Sequence, residues 1–190
     1  MGELIFKSNL DQDWISFALI TNLFLIYLLI KINPIRTIRL FNFLKIDFYL
    51  RRYNSERETQ YINPYNIIGV LIIINTVCLS LIFFCEKIIY GEIYFFEFCS
   101  LLLSIIIFLI TRYFIVLLIT RKSNYWKKIK PLMFKNFSLN LQFSLICFVL
   151  ILVGFYSEIP SFLFNIMVAI ILITWFLCQC RVFFSLFKFL

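Results

Sequence analysis

An all-α bundle of membrane-spanning helices is the fold class this sequence predicts, on three grounds. First, 63% of its 190 residues are hydrophobic and only 15% charged, with a mean hydropathy of +0.96; soluble domains hold about 45–50% apolar and about 25% charged residues. A soluble fold of this length has too much surface to leave so little polar cover. Second, the apolar residues are gathered into runs close to the roughly 20 residues that a helix needs to cross hydrocarbon. Third, Lys and Arg cluster in the segments between those runs.

Five runs qualify, at about 15–32, 66–85, 93–120, 137–157 and 159–180. Trp14 and Lys31 flank the first as interfacial anchors. It is expected to be a mature transmembrane helix and not a cleaved leader, because Lys7 is outweighed by Glu3, Asp11 and Asp13 and no small-residue cleavage site follows. The second is free of charge, and the third holds Glu97 and Arg112. Only Glu158 and Pro160 mark the turn between the last two, which predicts a tight helical hairpin. No internal repeat and no low-complexity linker divides the chain, so residues 1–190 read as a single integral membrane domain.

Orientation follows from the bases. Lys31, Arg36, Arg39, Lys45, Arg51, Arg52 and Arg57 lie between the first two spans, and Arg121, Lys122, Lys127, Lys128, Lys130 and Lys135 between the third and fourth. Arg181 and Lys188 follow the fifth, while the opposite side has only Lys7 and Lys87. The positive-inside rule then puts the amino terminus outside and the carboxyl terminus in the cytoplasm.

The two cytoplasmic loops read as more than tethers. Asn33-Pro34 has the form of an N-cap followed by a first helical residue. The stretch it opens has no single apolar stripe, which predicts short interfacial helical pieces. In the second loop Ser123 or Asn124 can cap a helix on which Tyr125, Trp126, Ile129 and Met133 recur at helical spacing. That pattern predicts a helix under the headgroups, ended or kinked near Pro131. Arg36, Arg39, Arg51, Arg52, Trp126, Lys127 and Lys128 are the candidate contacts to anionic phospholipid or to a partner. Bases placed beside apolar runs serve lipid and topology, so the net charge of +8 does not point to nucleic acid.

Polar groups within the spans are the natural place to look for chemistry, because hydrocarbon makes them costly. Arg112 lies about 12 Å of helical rise from the end of its run at Thr120. It reads as a side chain that snorkels or pairs with another helix, or as a site for an anionic group. Glu97 is about 22 Å away along the same helix, too far to pair with Arg112, and reads as interfacial. Asn22, Asn75, Asn140 and Gln142, with Asn165 and Gln179, put amides into the spans. Interhelical hydrogen bonds are their ordinary use, and they imply helices that face protein, either one another or a partner. Without GxxxG and with few small residues, close backbone approach is expected to be limited.

Other chemistry is excluded or unsupported. The chain has no histidine, which removes His-ligated haem, His-based dyads and carboxylate–histidine metal sites. Paired carboxylates within one span, a Gly-rich phosphate loop and a G-x-S-x-G elbow are all missing. Cys78, Cys85, Cys99, Cys147, Cys178 and Cys180 show no metal-site spacing and read as small apolar residues. No cofactor or metal is expected. Asn136-Phe137-Ser138 matches the glycosylation pattern but falls on the cytoplasmic side.

Asp13-Trp14 opens the first span, Asp47-Phe48-Tyr49-Leu50 follows a basic stretch, and Asn63-Pro64-Tyr65-Asn66 leads into the second span. In this order the chain, from Asp13 to Ser157, resembles a family of small polytopic membrane proteins of the Bacteroidota catalogued as a domain of unknown function. The resemblance implies a multi-pass protein of a Gram-negative inner membrane, and a further hydrophobic segment near the carboxyl end of its members. It implies no activity and no catalytic residues.

Three functions fit these readings. The first is a non-enzymatic subunit or accessory factor of a larger inner-membrane assembly, with other membrane subunits as partners. The second is a small transporter or lipid-handling protein that uses Arg112 for an anionic group; the spans lack the Gly/Pro interruptions and paired halves usual in transporters. A membrane enzyme with a cysteine nucleophile is the third.

Overall fold

The computed structural model describes residues 13–41, 63–89, 95–122, 126–157 and 161–187, and every element among them is an α-helix. In chain order these are α1 (Asp13–Ile32), α2 (Pro34–Phe41), α3 (Pro64–Ile89), α4 (Phe95–Lys122), α5 (Trp126–Tyr156) and α6 (Ser161–Phe187). Three are long and apolar enough to cross a membrane, over Trp14–Ile32, Pro64–Phe83 and Pro131–Tyr156. Shorter apolar stretches, Phe95–Thr111 and Ile166–Cys180, lie within α4 and α6. The chain is a helical membrane protein.

Helix onsets follow the Asn-Pro pairs. Asn33 caps α2: its side-chain oxygen accepts the Arg36 amide at 3.0 Å and its carbonyl accepts the Thr37 amide at 3.1 Å. Asn63 does the same for α3, accepting the Tyr65 amide at 3.0 Å on its side chain. Its carbonyl takes the amides of Asn66 and Ile67. In each pair proline supplies a preset φ where its missing N–H costs nothing.

The helix expected beneath the headgroups does not stand apart. Trp126 to Tyr156 is one continuous helix with Pro131 inside it. The proline lies so near the amino end that it removes only the bond its own N–H would make to the Lys127 carbonyl, leaving the ladder after it intact. The predicted cap at Ser123 or Asn124 lies outside the described residues, as do the Glu158–Pro160 turn and the Asp47-Phe48-Tyr49-Leu50 segment.

Helices α1, α3 and α5 form the centre. The most extensive packing is α3 on α5, then α1 on α3, while α6 lies chiefly on α5 and α4 chiefly on α3. Two apolar clusters mark the ends of this centre. One joins Ile15 and Leu19 of α1, Leu79 and Ile82 of α3, Phe98 of α4 and Phe148 and Ile151 of α5. The other joins Leu29 of α1, Leu40 of α2, Tyr65 and Ile72 of α3, and Phe134, Leu141 and Leu145 of α5. Helices α1 and α4 therefore run one way and α3 and α5 the other. The second cluster lies at the end where the two basic segments attach.

A close contact between side chains of one helix and the backbone of another occurs at Gly69. A Cβ there would lie 2.7 Å from Cζ of Phe137 and 3.1 Å from Cδ2 of Leu141, so the Phe137 ring rests on the backbone of α3. Large apolar side chains cover much of the described outer surface: Phe17 and Phe24 of α1, Phe96 and Phe108 of α4 and Phe176 of α6 are all exposed. Asn22, Arg36, Asn66, Asn75 and Gln142 are buried instead. This distribution is the reverse of a water-soluble bundle and is stable only where the solvent is lipid.

Candidate functional site

The densest gathering of polar side chains lies at the basic end, around α2. Three residues of that helix turn inward, Arg36, Thr37 and Leu40, and all are buried. The Arg36 guanidinium donates from Nη2 to Oδ1 of Asn66 at 2.9 Å. Its central carbon lies 4.0 Å from the ring centroid of Tyr65 and 5.5 Å from that of Phe134. A delocalised cation over aromatic faces keeps part of the stabilisation that water would give it.

Thr37 closes the join to α1. Its hydroxyl lies 3.3 Å from the Leu29 carbonyl, 3.0 Å from the Asn33 carbonyl and 3.3 Å from the Tyr65 hydroxyl. Carbonyls only accept, so Thr37 gives its one hydrogen to them and accepts that of Tyr65. At the far end of α2, Gln142 of α5 donates from Nε2 to the Leu40 carbonyl, one of the groups that a short helix leaves open. The cluster thus ties α1, α2, α3 and α5 at one point.

Burial of Arg36 corrects its reading as a headgroup or partner contact. The cap at Asn33 and the bonds from Thr37 to the end of α1 set the rotation of α2, and that rotation aims Arg36 at Tyr65 and Asn66. Arg39, in the last turn of α2, is half-buried. Arg51 and Arg52 lie outside the described residues. Trp126, Lys127 and Lys128 open α5, but their side chains are not among the described ones, and the same holds for Arg112 on α4.

The amides join helix to helix. Asn22 donates to the Thr76 hydroxyl at 2.8 Å, and Asn75 to the Ala18 carbonyl at 3.1 Å, both between α1 and α3. Oδ1 of Asn22 is buried with no hydrogen-bond partner in the structure. Asn140 accepts two donors from α6 on its oxygen, Nε1 of Trp175 at 3.0 Å and Nε2 of Gln179 at 2.7 Å. Glu97 lies exposed in the first turn of α4, where a carboxylate complements the helix dipole.

Among the described residues no three His, Cys, Asp or Glu side chains come together in a way that could hold a metal ion. Cys78 is buried, Cys99 exposed, and Cys147, Cys178 and Cys180 half-buried, all as free thiols; the Cys85 side chain is outside the described ones. The Asn136–Ser138 match sits within α5, with the Ser138 hydroxyl buried on the Phe134 carbonyl. That is no glycan acceptor loop.

Sequence reading missed Gly69, Thr37 and the role of Tyr65. A local signal was present: the two Asn-Pro caps put Arg36 and Asn66, which bond to each other, at the same third position after Asn33 and Asn63, with Tyr65 just before Asn66. Compared with protein-family models, curated proteins and solved structures, the chain matches none.

Proposed function

We propose that this chain is a non-enzymatic integral membrane subunit or accessory factor of a larger assembly in a bacterial inner membrane. It crosses that membrane five times, with the amino terminus outside and the carboxyl terminus in the cytoplasm. The observation that carries this reading is the use made of the buried polar groups. The buried Arg36, Thr37, Asn75 and Gln142, and the half-buried Asn140, each connect one helix to another. Side chains used as fasteners fix a shape, and a fixed shape with wide apolar flanks suits a scaffold.

Helix α6 supports the same reading from outside. It rests chiefly on α5, and Leu163, Ile170, Ile173 and Phe176 remain exposed. Neighbouring subunits are the partners proposed for this flank, and anionic phospholipid for the basic segments. Affinity capture of the full chain from native membranes in mild detergent, followed by native mass spectrometry, tests the reading. Stoichiometric co-purification of other membrane polypeptides is the expected result. A chain that isolates alone and monodisperse in every mild detergent refutes it.

A further inference from the structure

Helix α2 is turned inside out. Of its two cations Arg36 faces the protein, while Ile35, Ile38 and Phe41 face outward at 58%, 70% and 44% exposure. These positions recur every three residues and form one apolar stripe. We propose that α2 is an in-plane membrane anchor: the stripe lies among acyl chains at the headgroup boundary, with Arg39 and the exposed Lys31 at anionic phospholipid headgroups. The inference rests on the membrane-protein reading alone and holds whichever assembly the chain serves.

Three observations choose lipid as the occupant. The stripe begins three residues after Ile32 of α1, which together with Ile30 is exposed, at 44% and 43%. They end a helix long and apolar enough to cross a membrane, so the same hydrocarbon reaches α2. Secondly, the ends of α2 are closed by the chain itself. The Asn33 side chain takes the Arg36 amide, and Gln142 supplies a donor to the Leu40 carbonyl. A helix dressed in this way can enter an apolar medium with fewer open backbone groups. Thirdly, the charges suit the place: Lys31 and Arg39 flank the stripe at the end to which the basic segments attach, complementing anionic headgroups.

The test is a photo-crosslink in intact membranes, with benzoylphenylalanine placed at Ile38 in one full-length variant and at Leu40, which is buried, in another. After illumination each chain is purified and its intact mass measured. The expected result is a phospholipid adduct at position 38, at least about five-fold more abundant than at position 40 if burial excludes lipid. An adduct to a second copy or to another polypeptide at position 38 overturns the proposal, as does no adduct, the outcome for a face in water. Equal lipid adducts at 38 and 40 overturn the inside-out orientation. Ile35 is the second labelling site should the Ile38 variant not assemble, judged by elution as one species with the wild-type chain. The Lys31→Gln, Arg39→Gln double variant is expected to lower the anionic share of captured lipid by several-fold; an unchanged share removes the headgroup part of the proposal.

Discussion

Substituting Arg36 measures the value of the polar cluster, and the structure sets both sign and order. The favourable part is a desolvated cation–π contact, about 2 kcal/mol, plus a charged hydrogen bond to Asn66 of about 1.5–3 kcal/mol. Against it stands the cost of holding a guanidinium away from water, several kcal/mol for a buried ion. Arg36→Ala gives up the first, recovers most of the second, and also loses the packing of two methylenes, Cγ and Cδ, at about 0.8 kcal/mol each. The net expectation is a loss of about 3 kcal/mol. Arg36→Met keeps the stem against Tyr65 and Phe134 and removes the buried charge, so it costs about 1 kcal/mol. Arg36→Lys retains the charge without the planar fork that reaches Asn66 over the ring, and falls between them. In a chain of this size 1 kcal/mol moves a melting midpoint by about 2–4 °C, so the three variants separate in a thermal unfolding series in detergent or nanodiscs. An alanine variant that melts with the wild type, or a methionine variant worse than alanine, would refute the assignment of Arg36 as the fastener of α2.

Gly69→Val is expected to destabilise by about 2 kcal/mol through overpacking on Phe137, and to cost far less when introduced into a Phe137→Ala background. A valine variant as stable as wild type would show that the ring moves freely. At Asn22 the lost bond to Thr76, about 0.6 kcal/mol, is set against removal of a buried acceptor without a partner, worth about 1–3 kcal/mol. Asn22→Ala should therefore be neutral or slightly stabilising in urea or SDS unfolding, whereas Asn75→Ala should cost about 0.6 kcal/mol. Asn140→Ala takes the acceptor from two donors at once and should raise hydrogen exchange across α6 while leaving α1 and α3 protected. Uniform exchange changes would contradict the peripheral docking of α6.

Long apolar runs made the helices legible, because hydrocarbon demands them wherever a chain crosses it. Their ends were less legible: α3 and α5 run past the apolar stretch, since a helix stops where capping and turn residues stop it. The cap at Asn33 could be read because it is local. The orientation of α2 could not, because spacing identifies faces without saying which of them a neighbour will cover. The neighbours of Arg36 are Asn66 on α3 and Phe134 on α5, far away in sequence. Pro131 does not end its helix, because near the amino end a proline removes few of the bonds the helix needs. Gly69 carried no signal by itself; its meaning lies in Phe137.

The join at α2 also has an order in time. During synthesis Arg36, Tyr65 and Asn66 emerge while α5 is still unmade, so the guanidinium meets one aromatic face and its amide partner early. Phe134 and Gln142 arrive only after α4 has been translated, on the order of several seconds later at about 5–20 residues per second. Until then the Leu40 carbonyl lacks the Gln142 donor and the Arg36 pocket lacks its Phe134 wall. Completion of α5 is therefore the event that seals α2 to the bundle. A chain truncated before α5 would leave that seam open, with the Leu40 carbonyl lacking the Gln142 donor.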